Sequence, residues 1–474
     1  MTKEYDLVIL GGGIGGYTAA IRASQLGMHV AIVEKDKLGG TCLHKGCVPS
    51  KVLLRSAEIY RLTKEADTFG IDVKQSTLKF PEVQNRKKSV IQTLYQGIQS
   101  LMKKNKIDIY QGRGRMLGPS IFSPLPGTIS IEHDDGKENT ILTPKYVLLA
   151  TGAKPKRLPD LPVDEPFILT SDEALELKEL PQSMIIVGGG VIGIEWASMM
   201  IDMGVEVTVI ETAATILPHL DETIANEAKH LLSKKGVRFF VKANFNPEKV
   251  TVNNSLVEIN VETKDSSQIV RAEKLLLAIG REANVNEIGI ENTNIELEHG
   301  FIRVNEYFQT KESHIYAVGD VIGGKQLAHL AAYEGMVAVE HMANQQPYPI
   351  EDNQVPVAVY SHPEIASVGL TEAQAKQLGT DIEIGIFPFQ ANGKAIILGE
   401  SAGLVKIIAN KDTNDVLGVH MIGPDVTELI SEAGLAQVLQ ATPWEMALNI
   451  HPHPSLSETI GEAAMAVNNR QIHY

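Results

Sequence analysis

The first apolar run, Tyr5-Asp6-Leu7-Val8-Ile9-Leu10, has the length of a buried strand and breaks at Gly11-Gly12-Gly13-Ile14-Gly15-Gly16. A helix-compatible stretch from Tyr17 to Leu26 follows, and then a second strand-like run, His29 to Val33, that ends in Glu34. The pattern predicts strand, glycine turn, helix and strand, which is a complete βαβ unit. It returns at mid-chain. Met184 to Val187, the turn Gly188-Gly189-Gly190-Val191-Ile192-Gly193, a helix through Met203 and a strand Glu206 to Ile210 ending at Glu211 repeat the same order. The acid follows the first glycine by 23 positions in both copies, so the chain is expected to carry two dinucleotide folds.

The repeat has a physical reading. Gly11 and Gly188 permit a tight turn, Gly13 and Gly190 let backbone approach a pyrophosphate, and Gly16 and Gly193 let helix pack on strand, with phosphates on the helix N-terminus. One isolated copy could equally be a ligand-free glycine turn; two copies with acids argue for nucleotides. Glu34 and Glu211 can each accept from both ribose hydroxyls, and Glu211 would repel a 2′-phosphate, which predicts NAD over NADP. Two dinucleotides imply a relay, and FAD with a nicotinamide is the usual pair in which both are needed.

Other runs divide the remainder. Val147 to Gly152 and Leu275 to Gly280 read as buried strands ending in glycine, bracketing the second unit, with Gly280 a further candidate at the NAD site. Ile315 to Asp320 delivers a carboxylate to a turn, where Asp320 either holds ribityl hydroxyls or only shapes the turn. Beyond Glu351 no glycine fingerprint appears, while strands near Leu404 to Ile408 and helices near Ile430 to Leu439 suggest a separate domain. The expected fold is α/β: two Rossmann-like domains for FAD (1–150) and NAD (151–280), a central segment completing the FAD site (281–350), and a C-terminal α+β dimerisation domain (351–474).

Composition narrows the function. At 474 residues, 43% hydrophobic and 21% charged, the chain can bury several cores. No apolar run approaches the roughly 18 residues that cross a bilayer, and the opening Met1-Thr2-Lys3-Glu4-Tyr5-Asp6 is polar, so a soluble cytoplasmic protein without membrane association is expected. A net charge of −15 argues against nucleic acid and favours a basic partner.

The only two cysteines lie in Gly39-Gly40-Thr41-Cys42-Leu43-His44-Lys45-Gly46-Cys47-Val48-Pro49-Ser50-Lys51, directly after the first nucleotide unit. Val52 to Tyr60 looks helical and Pro49 is tolerable only in a first turn, which puts Cys47 near a helix N-terminus where thiolate is favoured. Lys45 and Lys51 push the same way. Two thiols are too few for a zinc site, so no metal is expected; a static disulfide is the blander alternative. Thiol exchange also needs a group that titrates near neutrality. The dense histidine cluster is His451-Pro452-His453-Pro454-Ser455-Leu456-Ser457-Glu458, where Glu458 can fix a tautomer, although two histidines between prolines can also be a rigid surface turn.

Gly11 to Gly16, Gly39 to Lys51, Gly188 to Glu195, Ala317 to Asp320 and His451 to Glu458 together resemble the pyridine nucleotide-disulfide oxidoreductases, over essentially the whole length and in particular the lipoamide branch. The resemblance implies that Cys42 is the interchange thiol and Cys47 the flavin-facing one. It makes Lys51 and Glu195 an ion pair beside the flavin, with a buried structural salt bridge as the alternative. It selects His453 as base and Glu458 as its partner, and implies that the base serves the cysteines of a second subunit, hence a homodimer. The implied activity is NAD-dependent reoxidation of protein-bound dihydrolipoamide within a 2-oxo acid dehydrogenase-type complex, with a lipoyl-bearing acyltransferase subunit as partner. Which complex is not encoded in the chain; no fused lipoyl domain is expected, so that choice would lie with partners. His44 and Lys45 between the cysteines, and Pro452 and Ser455 around the base, depart from the familiar pattern. A glutathione reductase-like role is the runner-up, disfavoured by Glu211; mercuric reductase relatives would carry a C-terminal cysteine pair, which residues 468–474 lack. A purely docking role for an acidic subunit would leave both nucleotide motifs and the thiols unexplained.

Overall fold

The computed structural model describes residues 3–121, 125–133 and 136–474; Met1 and Thr2 of the polar opening lie outside the described residues. The chain forms two compact units. The first comprises Met1–Val52, Gln84–Lys156 and Gly280–Ile350, and the second Leu53–Val83, Arg157–Ile279 and Glu351–Tyr474.

In the first unit β1 (Lys3–Leu10), α1 (Ile14–Gln25) and β2 (Val30–Glu34) form the expected βαβ. The helix begins three residues earlier than the periodicity suggests, because Gly13 takes the extended N-cap conformation and the poor helix formers Gly15 and Gly16 are drawn into the first turn. β1 lies between β2 and the strand Thr140–Leu149, parallel to both, and Asp108–Gln111 extends the sheet beyond β2. On its far side Thr140–Leu149 pairs antiparallel with Thr128–Glu132 through its first half and parallel with Ile315–Ala317 through its second. Leu7 and Ile9 enter one core and Val8 and Leu10 another, so β1 is covered on both faces, which is why its sequence runs apolar instead of alternating. Two helices follow β2: the short α2 (Gly40–Lys45) and the long α3 (Cys47–Lys64), the second crossing from the first unit into the next at Leu53.

The second unit repeats the topology. β3 (Ser183–Val187), α4 (Val191–Asp202) and β4 (Glu206–Ile210) match the sequence reading. β3 is again central in a parallel sheet, ordered Arg238–Phe240, β4, β3, Lys274–Leu277 and Ile168–Thr170. In both copies an antiparallel excursion precedes the strand that pairs with the other side of the central one; in the second it is the meander Thr251–Asn253, Leu256–Glu262 and Ser267–Ala272. Residues 351–474 build a five-stranded antiparallel sheet, ordered Val357–Val359, Glu364–Gly369, Val416–Gly423, Leu404–Asn410 and Ile382–Pro388. Helices Val426–Val438 and Glu458–Ala466 pack on it over a core that includes Phe387, Phe389, Met421 and Ile460. A Cβ on Gly385 would collide with Ala463 O, so the last helix lies directly on the sheet backbone. Parallel layers followed by an antiparallel sheet with helices give the mixed α/β architecture. Residues 53–83 pack with this unit instead of with the segment preceding them in sequence.

Candidate functional site

The two glycine turns are superposable in their contacts. Gly11 (φ 104°) and Gly188 (φ 110°) adopt a conformation that glycine alone tolerates easily, and a Cβ on either would strike the carbonyl of Ala150 or Ala278. A Cβ on Gly16 or Gly193 would strike the carbonyl of Gly11 or Gly188, so these glycines are demanded by helix packing on the turn. Glu34 accepts from Gly12 N at 2.7 Å and Asp36 N at 2.7 Å; Glu211 accepts from Gly189 N at 2.6 Å and Ala213 N at 2.7 Å. Each carboxylate is thereby fixed at the end of its strand with lone pairs to spare. Gly13 and Gly190 behave differently. Both have ordinary φ (−69° and −77°), and a Cβ would meet nothing nearer than 3.9 Å at the first and nothing within 4 Å at the second. Neither backbone nor packing requires glycine there. Both N-caps lack a side-chain hydrogen bond and both first turns lack an acid, which leaves donors open to an anion.

The cysteine segment is built onto the first of these turns. Gly39 N donates to Gly12 O at 2.7 Å, and Gly40 packs so closely on Gly13 Cα that a Cβ would sit 2.7 Å from it. α2 therefore starts at the glycine turn and carries Cys42, while Cys47 is the first residue of α3, with Pro49 in its first turn as expected. The two cysteines are half-buried, are not joined by a disulfide, and are hydrogen-bonded to each other through their side chains. That hydrogen bond, and then burial, hold the Cys42 thiol well above the ordinary range, with Lys51 opposing. Cys47 opens the long helix α3, where the partial positive charge of a helix N-terminus favours thiolate. His44 is spoken for: its Nε2 contacts Leu38 O at 2.9 Å and its ring meets Tyr95 edge-on.

Asp320 follows strand Ile315–Ala317 in a short 3-10 turn whose Gly319 N donates to the buried Glu334 at 2.6 Å. Burial raises its pKa and Arg281 opposes, with Arg281 Nε 3.4 Å from Asp320 Oδ2; the charge of Asp320 also bears on Cys42. The first unit thus gathers the first glycine turn, Glu34, both cysteines, Lys51 and Asp320. The second holds Gly188, Gly190, Gly193 and Glu211, whereas Gly280 belongs to the first. Glu195, on α4, is buried and accepts from Tyr360 N at 3.0 Å.

Near the C-terminus the two clustered histidines part company. His451 is buried, with Nε2 at 2.9 Å from Glu432 Oε1 and Gly461 packed against its ring. The side chain of His453 is 80% exposed, and its Nδ1 lies 2.9 Å from Glu458 Oε1. Burial raises Glu458, but Ser455 N, donating at 2.9 Å, and His453 outweigh it and hold the carboxyl below the usual range. An ionised Glu458 makes Nδ1 the donor, so Nε2 presents a lone pair to solvent. Arg281, Glu334 and Glu432 escaped sequence reasoning, since each is a lone residue whose role comes from contacts distant in sequence.

A family model for pyridine nucleotide-disulphide oxidoreductases matches residues 5–335, and one for their dimerisation domain matches residues 355–464. This chain belongs to the pyridine nucleotide-disulphide oxidoreductases. Among its relatives in that family, a dihydrolipoyl dehydrogenase of Bacillus subtilis is 60% identical over 474 residues, with 100% of both chains covered. Among solved oxidoreductases, LpdA from Mycobacterium tuberculosis has a TM-score of 0.89 at 29% identity, covering 98% of this chain and 99% of that one. The HOCl-induced flavoprotein disulfide reductase RclA from Escherichia coli has a TM-score of 0.84 at 26% identity over 96% and 98%. No described helix is long and apolar enough to cross a membrane, and no described cluster of His, Cys, Asp and Glu could hold a metal ion.

Proposed function

We propose that this chain is an NAD-dependent dihydrolipoyl dehydrogenase that reoxidises protein-bound dihydrolipoamide. The observation that carries the reading is the hydrogen-bonded pair Cys42 and Cys47, built backbone to backbone onto the first glycine turn. FAD fits that turn: Gly13 is a glycine that neither its φ nor its packing explains, at an uncapped helix N-terminus beside a fixed Glu34. The same argument at Gly190 and Glu211 fits NAD and disfavours a 2′-phosphate. We assign the pyrophosphate of FAD to Gly11, Gly13 and Gly16, its ribose to Glu34, its ribityl chain to Asp320, and Lys51 and Glu195 to the flavin end. Gly188, Gly190, Gly193, Glu211 and Gly280 are assigned to NAD. On this reading residues 1–150 and 281–350 serve FAD, 151–280 NAD, and 351–474 dimerisation.

His453 Nε2 takes the proton of one substrate thiol, and the resulting thiolate attacks Cys42 Sγ of the oxidised pair, releasing Cys47 as thiolate. The second substrate thiol then attacks the substrate sulfur of the mixed disulfide, closing the lipoyl ring; the leaving Cys42 takes the proton held by His453 and departs as thiol, and the proton of the attacking thiol passes to His453. FAD, when bound, supplies the two-electron step between the reduced cysteines and NAD⁺. Glu458 stabilises the imidazolium formed in between. The partner is a lipoyl-bearing acyltransferase subunit, the compartment the cytoplasm, and His453 serves the cysteines of a second copy of this chain.

Anaerobic titration tests the reading. Dihydrolipoamide should bleach the flavin band and NADH should re-form the same two-electron-reduced spectrum, while glutathione and NADPH act at least tenfold more slowly. Preference for glutathione and NADPH would overturn the substrate assignment.

A further inference from the structure

Arg281 has no place in the motifs, yet both its side chain and its backbone are held. Its side chain is 13% exposed, and Nη2 donates to Ala153 O at 2.5 Å. The backbone beneath it is fixed as well: Arg281–Ala283 pairs antiparallel with Ala153–Pro155, and Asn284 and Thr151 exchange further hydrogen bonds alongside. Held in this way, the guanidinium places Nε 3.4 Å from Asp320 Oδ2, and its charge draws the Asp320 carboxyl toward the ionised form. A largely buried ion pair recovers little beyond its own desolvation cost, so it is a poor device for stability alone. It is a good device for holding a carboxylate. Asp320 sits in a half-buried position whose desolvation favours its neutral form, on a turn also held by Glu334 through Gly319 N. Without a cation it could protonate or rotate away, and a protonated carboxyl accepts hydroxyl hydrogens poorly.

We infer that Arg281 is a positioning residue: anchored on the Ala153–Pro155 strand, it keeps the Asp320 carboxylate ionised and oriented to receive the ribityl hydroxyls of FAD. The inference rests on the assignment of Asp320 made above. It is a role in cofactor retention, separate from proton transfer or thiol exchange.

The test is a double-mutant cycle read by flavin fluorescence, following the rate at which FAD leaves the purified holoprotein in dilute urea. Asp320→Asn and Arg281→Met should each release FAD about tenfold faster, equivalent to about 1.4 kcal/mol, and the double variant should be no worse than Asp320→Asn alone. Arg281→Lys, which keeps charge but loses the fork, should fall between wild type and Arg281→Met. If Asp320→Asn leaves FAD release unchanged, the Asp320 assignment fails and takes this inference with it. If Asp320→Asn releases FAD but Arg281→Met and Arg281→Lys do not, or if the effects of Arg281→Met and Asp320→Asn simply add, Arg281 does not act through Asp320 and only the inference fails.

Discussion

At the scale of the residue, His362 shows how burial decides a protonation state. Its Nδ1 accepts from Arg61 Nη2 at 3.4 Å, and Lys235 Nζ donates to its carbonyl at 3.2 Å. Burial first, then the charges of Lys235 and Arg61, lower its pKa from 6.5 to about 2. Asp202, Glu65 and Glu400 neutralise those cations, with Lys235 2.6 Å from Asp202 and Arg61 2.8 Å from both Glu65 and Glu400. The folded state thus keeps His362 neutral where the unfolded chain takes up a proton. Its contribution is fully present above pH 6.5 and is lost as pH falls from there toward 2, at about 1.4 kcal/mol per unit. Urea unfolding at pH 7 and pH 5 should show wild type losing about 2 kcal/mol more than His362→Asn over that interval; equal losses would remove His362 from the acid sensitivity. Nothing in the residues flanking His362 announces this, because the cations come from positions far away in sequence.

At the scale of the element, the two strand–turn–helix units assign separate jobs to glycines that look alike in sequence. Gly193→Ala should destabilise the protein by several kcal/mol, because the new methyl enters the space of Gly188 O. Gly190→Ala, at ordinary φ with open space ahead, should cost under about 1 kcal/mol as a poorer N-cap while raising the KM for NAD⁺ tenfold or more and leaving flavin content unchanged. Melting temperature, bound flavin and KM together check both outcomes. These elements were legible because their information is local: the glycine spacing, the acid closing β2 and β4, and the proline after Cys47 all act within one turn or strand. What escaped was carried by distant partners. α1 begins early because its glycines pack on a turn, and Arg281 matters through Asp320; the residues alone did not separate His451 from His453, which the family resemblance selected, and the two differ in surroundings, with Glu432 and Gly461 against one ring and the other exposed. The five-stranded C-terminal sheet was anticipated only as a strand and a helix: Val416–Gly423 buries residues on both faces and lacks clear alternation, while in Ile382–Pro388 the buried positions are Gly385 and Phe387 and the apolar Ile386 between them is exposed, so its apolar residues do not mark the core face.

At the scale of the whole molecule, the proposed site depends on two chains. Co-expressing Cys42→Ser with His453→Gln tests this directly, since each homodimer would lack one member in every site, whereas the mixed dimer would contain one site with both intact. Dihydrolipoamide oxidation should therefore reappear in the mixed dimer; absence of activity there would place base and thiols on the same chain. The pairing of Ala153–Pro155 with Arg281–Ala283 has a consequence of another kind. The chain leaves the first unit and returns to it on adjacent strands, about 4.8 Å apart, so everything between Arg157 and Ile279 is threaded through a single narrow gate. Closing a longer loop at such a gate costs only about 0.6 kcal/mol for each doubling of its length. Exchange of the nucleotide module at these two strands would nonetheless have to refit the core that residues 157–279 share with Leu53, Phe80, Val359 and Ile365, so the gate fixes where a new module enters and leaves while coenzyme preference stays tied to that shared packing.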